Sequence, residues 1–205
     1  MIKLIIFDFD GTIANTKEVV DKSLRDSARI VNINLAPRIL HGYEPLKKMF
    51  YNFMSEIGGK KINIVYKTFV SKEKSHINEI KLAKNLKLIK ELKLKKIILS
   101  NNDSSFIREF LRRRKINFFD AVYGPDRFIN KLSAMRKIIK GKYKRNEVIY
   151  IGDRPADVFL AKTAGVISIA IHLDNSWSSR NELIKAKPDF LISDFKDLSK
   201  IIEKQ

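Results

Sequence analysis

The chain has 205 residues with 41 Lys and Arg against 23 Asp and Glu, a formal charge of +18, and its hydrophobic content of 44% is enough to build a packed core. Disorder over the whole length is excluded, and the length suits one domain of about 130 to 150 residues with an insertion, or two small domains. The lack of cysteine excludes disulfide frameworks, thiolate zinc sites and cysteine nucleophiles, so any metal must be held by oxygen or imidazole. The apolar start stops at Asp8, too early for a secretory signal, and no hydrophobic run approaches the ~20 residues that span a bilayer. The sequence therefore reads as soluble and cytoplasmic, with no membrane partner.

The positive charge is uneven. Residues 58–115 carry 17 Lys and Arg and 5 Asp and Glu, a field that would concentrate phosphorylated ligands or hold a polyanion in a salt-dependent way. Nucleic acid is thus a candidate partner. The competing reading is a solvated helix stripe, because Lys81, Lys84, Lys87 and Lys90 recur every three residues. No RNA-binding or zinc-finger pattern accompanies the charge.

In chain order, residues 2–7 (IKLIIF) predict a strand buried on both faces of a parallel sheet. Residues 15–77 are helical and amphipathic with breaks near Pro37, His41 to Pro45 and Gly58-Gly59, which predicts an inserted unit of three or four helices. Asn78 to Leu94 return to helical periodicity, and Lys96 to Leu99 predict a second buried strand. There follow a helix over 104–114, a strand over 121–123, a helix over 131–139 and a strand over 148–151. A helix over 155–164 is closed by Gly165, and strands over 166–171 and 190–192 precede a C-terminal helix over 195–202. This alternation predicts an α/β fold with an open, doubly wound parallel sheet, whose chemistry gathers at the carboxyl ends of the strands.

The polar residues at those ends belong together. Asp8 and Asp10 stand two apart where the first strand runs out, in the string DFDGT. Two adjacent buried carboxylates are costly unless something offsets their repulsion, and a hard divalent cation, Mg²⁺ before others, does so best. Gly11 allows a tight turn whose amides, with Thr12, could meet phosphate oxygens. A helix cap followed by a turn glycine would explain Asp10 and Gly11 but not Asp8. Ser100 and Asn101 follow the second strand, where a hydroxyl could donate to a phosphoryl oxygen, although a serine there also suits a helix cap. Lys131, after the loop 124–130, could neutralise charge on a transferring phosphoryl group. Gly152-Asp153-Arg154-Pro155-Ala156-Asp157 adds a metal-ligand candidate in Asp153 and a supporting carboxylate in Asp157, one turn into a helix that Pro155 begins.

With DFDGT, LSNN, Lys131 and GDRPAD in this order, the sequence resembles the haloacid dehalogenase superfamily, and within it phosphatases of the phosphoglycolate phosphatase type. The segments AKTAGVISIAI and PDFLISDFKDL extend the resemblance. It implies a Rossmann-like core over 1–14 and 78–205, with a small helical cap of the first class over 15–77. It further implies that Asp8 is the nucleophile and Asp10 the general acid and base, with Ser100 and Lys131 assisting. Gly11, Thr12, Asn101, Ser100 and Lys131 would hold phosphate, and Asp8, Asp10 and Asp153 would hold Mg²⁺ with Asp157 behind them. The acid two places after the nucleophile points to phosphate ester hydrolysis or a phosphomutase rather than to cleavage of carbon-halogen or carbon-phosphorus bonds. One departure is Leu132, where the family has Pro after its lysine; Lys137 is the fallback and lies well inside the helix.

In the cap, Arg38, His41, Tyr43 and Lys60 sit near breaks where a ligand could be met, and Phe50, Tyr51, Phe53 and Met54 suit a cap core. The reading that follows is a Mg²⁺-dependent phosphomonoesterase acting on a small phosphorylated metabolite. Its competitors are a phosphatase of nucleic-acid ends or phosphoproteins, and an idle phosphate- or polyanion-binding protein that keeps the fold.

Overall fold

The computed structural model describes residues 1–30, 59–174 and 176–205, with side chains from residue 63 onward in the second of these segments. The strand Leu4–Phe7 (β1) has the sequence LIIF and is wholly buried. Each such side chain contributes roughly 1.5–3 kcal/mol when taken out of water, and an unbroken apolar run of this kind fits only the interior of a sheet covered on both faces. Five strands join it: β2 (Lys95–Leu99), β3 (Ala121–Tyr123), β4 (Val148–Gly152), β5 (Ile167–Ile171) and β6 (Phe190–Ile192).

The six strands form one parallel sheet in the order β3-β2-β1-β4-β5-β6. Phe7 lies level with Ile98 of β2 and Ile151 of β4, so β1, β2 and β4 end together. From β1 the chain builds outward to β3, then returns to β4 and builds the other way. The gap between the ends of β1 and β4 is therefore the switch point where sheets of this type bind ligands.

The described helices are α1 (Lys17–Ile30), α2 (Gly59–Ser75), α3 (Ser104–Arg113), α4 (Lys131–Ile139), α5 (Pro155–Ala164), α6 (Arg180–Lys185) and α7 (Leu198–Glu203). Met135 of α4 and Ala161 and Ala164 of α5 pack with Leu4, Ile6, Ile97, Leu99 and Tyr150 in one cluster. Elsewhere in the core, Phe7 meets Phe119 edge-on at 5.6 Å, and Phe9 meets Phe110 of α3 in the same way at 5.4 Å. No described helix is long and apolar enough to cross a membrane.

The chain divides into two compact units, Met1–Asn15 with Leu82–Gln205, and Thr16–Lys81. In the second unit α1 buries Val19, Val20, Leu24 and Ala28 on one face, and α2 buries Val65 and Phe69. The expectations placed on Arg38, His41, Tyr43, Phe50, Tyr51, Phe53 and Met54 lie outside the described residues, as does the Lys60 side chain.

Three elements differ from the sequence reading. Residues 78–94 are not one α-helix: Lys81–Leu82 is extended, Asn85 takes a left-handed conformation at φ 58°, and a 3₁₀ helix runs over Leu86–Glu91. The three-residue spacing of Lys84, Lys87 and Lys90 against buried Leu86 and Ile89 is the period of a 3₁₀ helix, not the 3.6 of an α-helix. The C-terminal helix starts later than expected, as a 3₁₀ turn over Phe195–Asp197 leading into α7. Helix α6, absent from the sequence reading, is announced by the capping box of Ser179 and Glu182, where Ser179 N donates to Glu182 Oε2 at 2.7 Å and Glu182 N to Ser179 Oγ at 3.3 Å.

Gly165 closes α5 in the left-handed region at φ 76°, and Val166 N then donates to Ala161 O at 3.0 Å. A side chain at that backbone angle costs about 1–2 kcal/mol. We therefore predict that Gly165→Ala lowers unfolding stability by roughly that amount in urea melts. An unchanged midpoint would show that the turn does not require glycine.

Candidate active site

The turn after β1 places the first candidates. Asp8 N donates to Ile151 O at 2.8 Å, which continues the β1/β4 pairing by one residue and fixes the Asp8 carboxylate at the switch point. Gly11, at φ 75°, then folds the chain back so that Gly11 N donates to Ala14 O at 2.8 Å and Thr12 N to Phe9 O at 3.3 Å. A Cβ at Gly11 would overlap the Asp153 carboxylate and stand 2.6 Å from Trp177 Cδ1. Glycine is required here by close approach as well as by backbone angle.

Lys131 is the first residue of α4, and its helix is capped by Asn130, whose Oδ1 accepts from Ser133 N at 2.8 Å. This cap starts the helix without the family's proline. Lys131 Nζ donates to Asp8 Oδ1 at 2.7 Å and to the Tyr150 hydroxyl at 3.1 Å, and lies 3.5 Å from Asp157 Oδ1. Lys137, the fallback, is exposed on the same helix.

The fourth segment delivers two buried carboxylates. Asp153 follows β4 and its Oδ2 accepts from the Trp177 backbone N at 2.6 Å, whereas its Oδ1 is buried with no hydrogen-bond partner. Asp157, in the first turn of α5, accepts from the Tyr150 hydroxyl at 3.0 Å and from Arg154 N at 3.1 Å. Its approach to the strand depends on Gly152, where a Cβ would overlap the Asp157 carboxylate. Ser100 is wholly buried at the end of β2, with its Oγ accepting from Asn102 N at 3.1 Å.

Oxygen atoms of Asp8, Asp153 and Asp157 all lie within 4.8 Å of one another. The expected set was Asp8, Asp10 and Asp153; the close group holds Asp157 beside Asp8 and Asp153, and the Asp10 carboxylate accepts from Asn102 Nδ2 at 3.2 Å. The cause is the turn, which begins directly after Asp8 and carries Asp10 toward the end of β2, while α5 brings Asp157 in from the other side. The Gly11 and Thr12 amides, expected near phosphate, donate within the turn to Ala14 O and Phe9 O. Thr12 Oγ1 is buried without a partner. Asn101 is half-buried in the turn after Ser100.

The electrostatics follow from burial. Loss of solvent raises the Asp153 pKa well above its usual 3.8, with Asp157 and Asp8 adding repulsion. Asp157 is raised for the same first reason, then by Asp8, against the pull of Lys131. Burial opposes the Lys131 charge, but Asp8 and Asp157 outweigh it and the pKa is raised. Burial and the same carboxylates hold the proton on Tyr150, which stays a donor to Asp157.

A hard divalent cation fits this donor set. The donors are carboxylate oxygens, Asp153 Oδ1 lacks any other partner, and negative charge exceeds what Lys131 supplies. Asp8 and Asp153 would hold it; both oxygens of Asp157 are already engaged by Tyr150 and Arg154, which suits a supporting position.

Three contributors were missed in the sequence. Tyr150 links Lys131 to Asp157, Trp177 presents its backbone amide to Asp153, and Asn102 holds Asp10. A tyrosine inside an otherwise aliphatic strand two residues before GD was the one available signal for Tyr150. Trp177 is the only tryptophan, and the Arg154 guanidinium lies 4.6 Å from its ring; nothing local ties it to residue 153.

Because Asp153 binds its proton more tightly when folded than when unfolded, the folded chain loses stability as pH rises from the unfolded value toward the raised one. We predict that Asp153→Asn melts at a higher temperature than the parent at neutral pH in divalent-free buffer, with the gap closing toward pH ~4. Added Mg²⁺ should stabilise the parent and not the variant. A variant less stable than the parent in EDTA at neutral pH would contradict the assignment of strain to that carboxylate.

The family model for haloacid dehalogenase-like hydrolases matches residues 5–171. Similar curated proteins include a candidate pyrophosphatase PpaX of Caldanaerobacter subterraneus, 28% identical over 98% of this chain and 95% of the relative. Another is a phosphoglycolate phosphatase of Synechococcus elongatus, 26% identical over 95% and 94%. Among solved structures, one described as a predicted phosphoglycolate phosphatase from Haemophilus somnus superposes with a TM-score of 0.85 over 98% of both chains at 20% identity, a likeness of fold. Sheet order, switch-point carboxylates and a family match spanning most of the length lead to one assignment: the chain belongs to the haloacid dehalogenase-like hydrolase family.

Proposed function

We propose that the protein is a Mg²⁺-dependent phosphatase that hydrolyses a phosphate monoester of a small soluble metabolite through a phosphoryl group carried on Asp8. The observation that supports it most directly is the 2.7 Å contact from Lys131 to a buried Asp8 carboxylate beside the partnerless Asp153 Oδ1. The names of the relatives, pyrophosphatase and phosphoglycolate phosphatase, support a small phosphorylated substrate.

In this reading a carboxylate oxygen of Asp8 attacks phosphorus as the bond to the leaving oxygen breaks. Asp10, oriented by Asn102, donates the proton that the leaving alcohol takes up. Asp10, now ionised, removes a proton from the water that attacks the phosphorylated Asp8, which frees phosphate and restores both carboxyl groups. Lys131 and the Ser100 hydroxyl, with Asn101, bind phosphoryl oxygens and lower the cost of the charge gathered there. Tyr150 keeps Lys131 and Asp157 in register. Bound Mg²⁺ would supply neutralisation of phosphoryl charge. Residues 15–77 are read as a small helical cap of the first class, within the second unit Thr16–Lys81 but for Asn15.

General acid help contributes about 10²- to 10⁴-fold, which sets the scale for Asp10→Asn: we expect a kcat lower by that factor with Mg²⁺ affinity close to the parent's. Asp8→Asn should abolish phosphate release. Both are read in a Mg²⁺-dependent release assay over phosphoglycolate, pyrophosphate, sugar phosphates and nucleotides, with EDTA as the control. Parent-like release by Asp8→Asn, or hits that survive EDTA, would overturn the proposal.

A further inference from the structure

The sheet end opposite the carboxylate pocket carries a different charge. Three segments, residues 93–96, 112–115 and 140–145, hold eleven Lys or Arg and no Asp or Glu, and the topology brings them together. Lys95 opens β2 level with Leu4 at the start of β1, and residues 140–145 lead into β4, which starts at that same level. Helix α3 starts beyond the far end of β2 and runs back, so 112–115 at its end return toward the strand starts, and Asp120, just ahead of β3, donates its N to Lys96 O at 2.7 Å. Met1, whose ammonium donates to Gln205 O at 3.2 Å, brings the C-terminal Lys204 to the same end.

Part of this charge has a local explanation. Cations are favoured at helix C-termini by about 0.3–1 kcal/mol, and Arg112 and Arg113 sit in the last turn of α3, tied to Glu109 at 2.7 and 2.6 Å. Lys96 is buried, its Nζ donating to Leu92 O and Leu94 O. That explanation does not cover Lys93, Lys95, Lys142 and Lys144, which are exposed and lie outside helices. Of the nearby acids, Glu147 is engaged by Lys3 at 2.7 Å and by Lys144 N at 2.9 Å, and Asp120 by Lys96 N at 2.7 Å, while exposed Glu91 and Glu203 offset only two of the eleven charges. A positive excess remains, directed at solvent.

We propose that this end of the core is a binding surface for the phosphodiester backbone of a nucleic acid, separate from the pocket at the strand ends. The backbone presents a row of anions that exposed lysines neutralise without reading sequence. An anionic bilayer is the poorer match, because the exposed residues of the three segments are Lys, Arg and Gly, with no large apolar side chain among them. The inference does not depend on the phosphatase reading.

The test uses the full chain and a fluorescent single-stranded oligonucleotide lacking terminal phosphates, which leaves the pocket nothing to hydrolyse. Anisotropy titrations over a salt series should show binding whose logarithm falls linearly with log salt. A variant with Lys93, Lys140, Lys142 and Lys144 each changed to Gln should bind about tenfold or more weakly at low salt, with a slope smaller by up to ~0.7 per lost contact. A control with Lys67, Lys72, Lys74 and Lys81 changed to Gln, equal in charge but in the helical unit, should bind like the parent. Release of phosphate from a small substrate should be the same in all three proteins. Absence of binding by the parent, equal weakening of both variants, or capture by phosphatidylserine vesicles in place of the oligonucleotide would each overturn the proposal.

Discussion

The arrangement depends on one crowded electrostatic contact. Three carboxylates converge at the ends of β1 and β4 and the start of α5, and a single ammonium, that of Lys131, reaches into them. Removing such groups from water costs several kcal/mol each, so the fold holds them together against their own repulsion. The strain is displayed in the raised pKa values of Asp153 and Asp157 and in an Asp153 oxygen with no partner. Perturbed groups of this kind cluster where chemistry is done.

The rest of the core can be read as the means of holding that contact. The strand order places β1 and β4 side by side at the switch point, and their register sets Asp8 level with Gly152, one residue before Asp153. Two glycines allow the close approach: Gly11 lets the turn pass the Asp153 carboxylate, and Gly152 admits that of Asp157. Tyr150, buried in β4, donates to Asp157 and accepts from Lys131, so one hydroxyl orders an anion and a cation at once. Charge is also divided by position, with the acids at the strand ends and exposed lysines at the strand starts.

Much of this was legible in the sequence, for a physical reason. Buried parallel strands are short apolar runs, and the polar residue that ends each run marks the edge where ligands bind. Asp8, Ser100 and Asp153 were visible in that way, and helix α4 was found from Lys131 onward because its periodicity is clean. Contacts made by the turn were not legible: where the chain reverses after Asp8 decides which carboxylates lie close, and those of Asp8, Asp153 and Asp157 do. That the amides of Gly11 and Thr12 donate inside the turn was not legible either, since turns consume donors locally. The 3₁₀ helix at Leu86–Glu91 was misread as an α-helix, although its three-residue lysine spacing carried the answer. Trp177 N reaches Asp153 across 24 residues, and no local pattern encodes that.

The account is tested most directly by calorimetric titration of the parent chain with Mg²⁺ in two buffers of different ionisation enthalpy, which counts protons exchanged on binding. If the pocket is a strained carboxylate cluster awaiting a cation, binding releases protons at mildly acidic pH, because the raised pKa values of Asp153 and Asp157 must fall as the metal arrives. Absence of Mg²⁺ binding, or binding with the same apparent heat in both buffers, would contradict it.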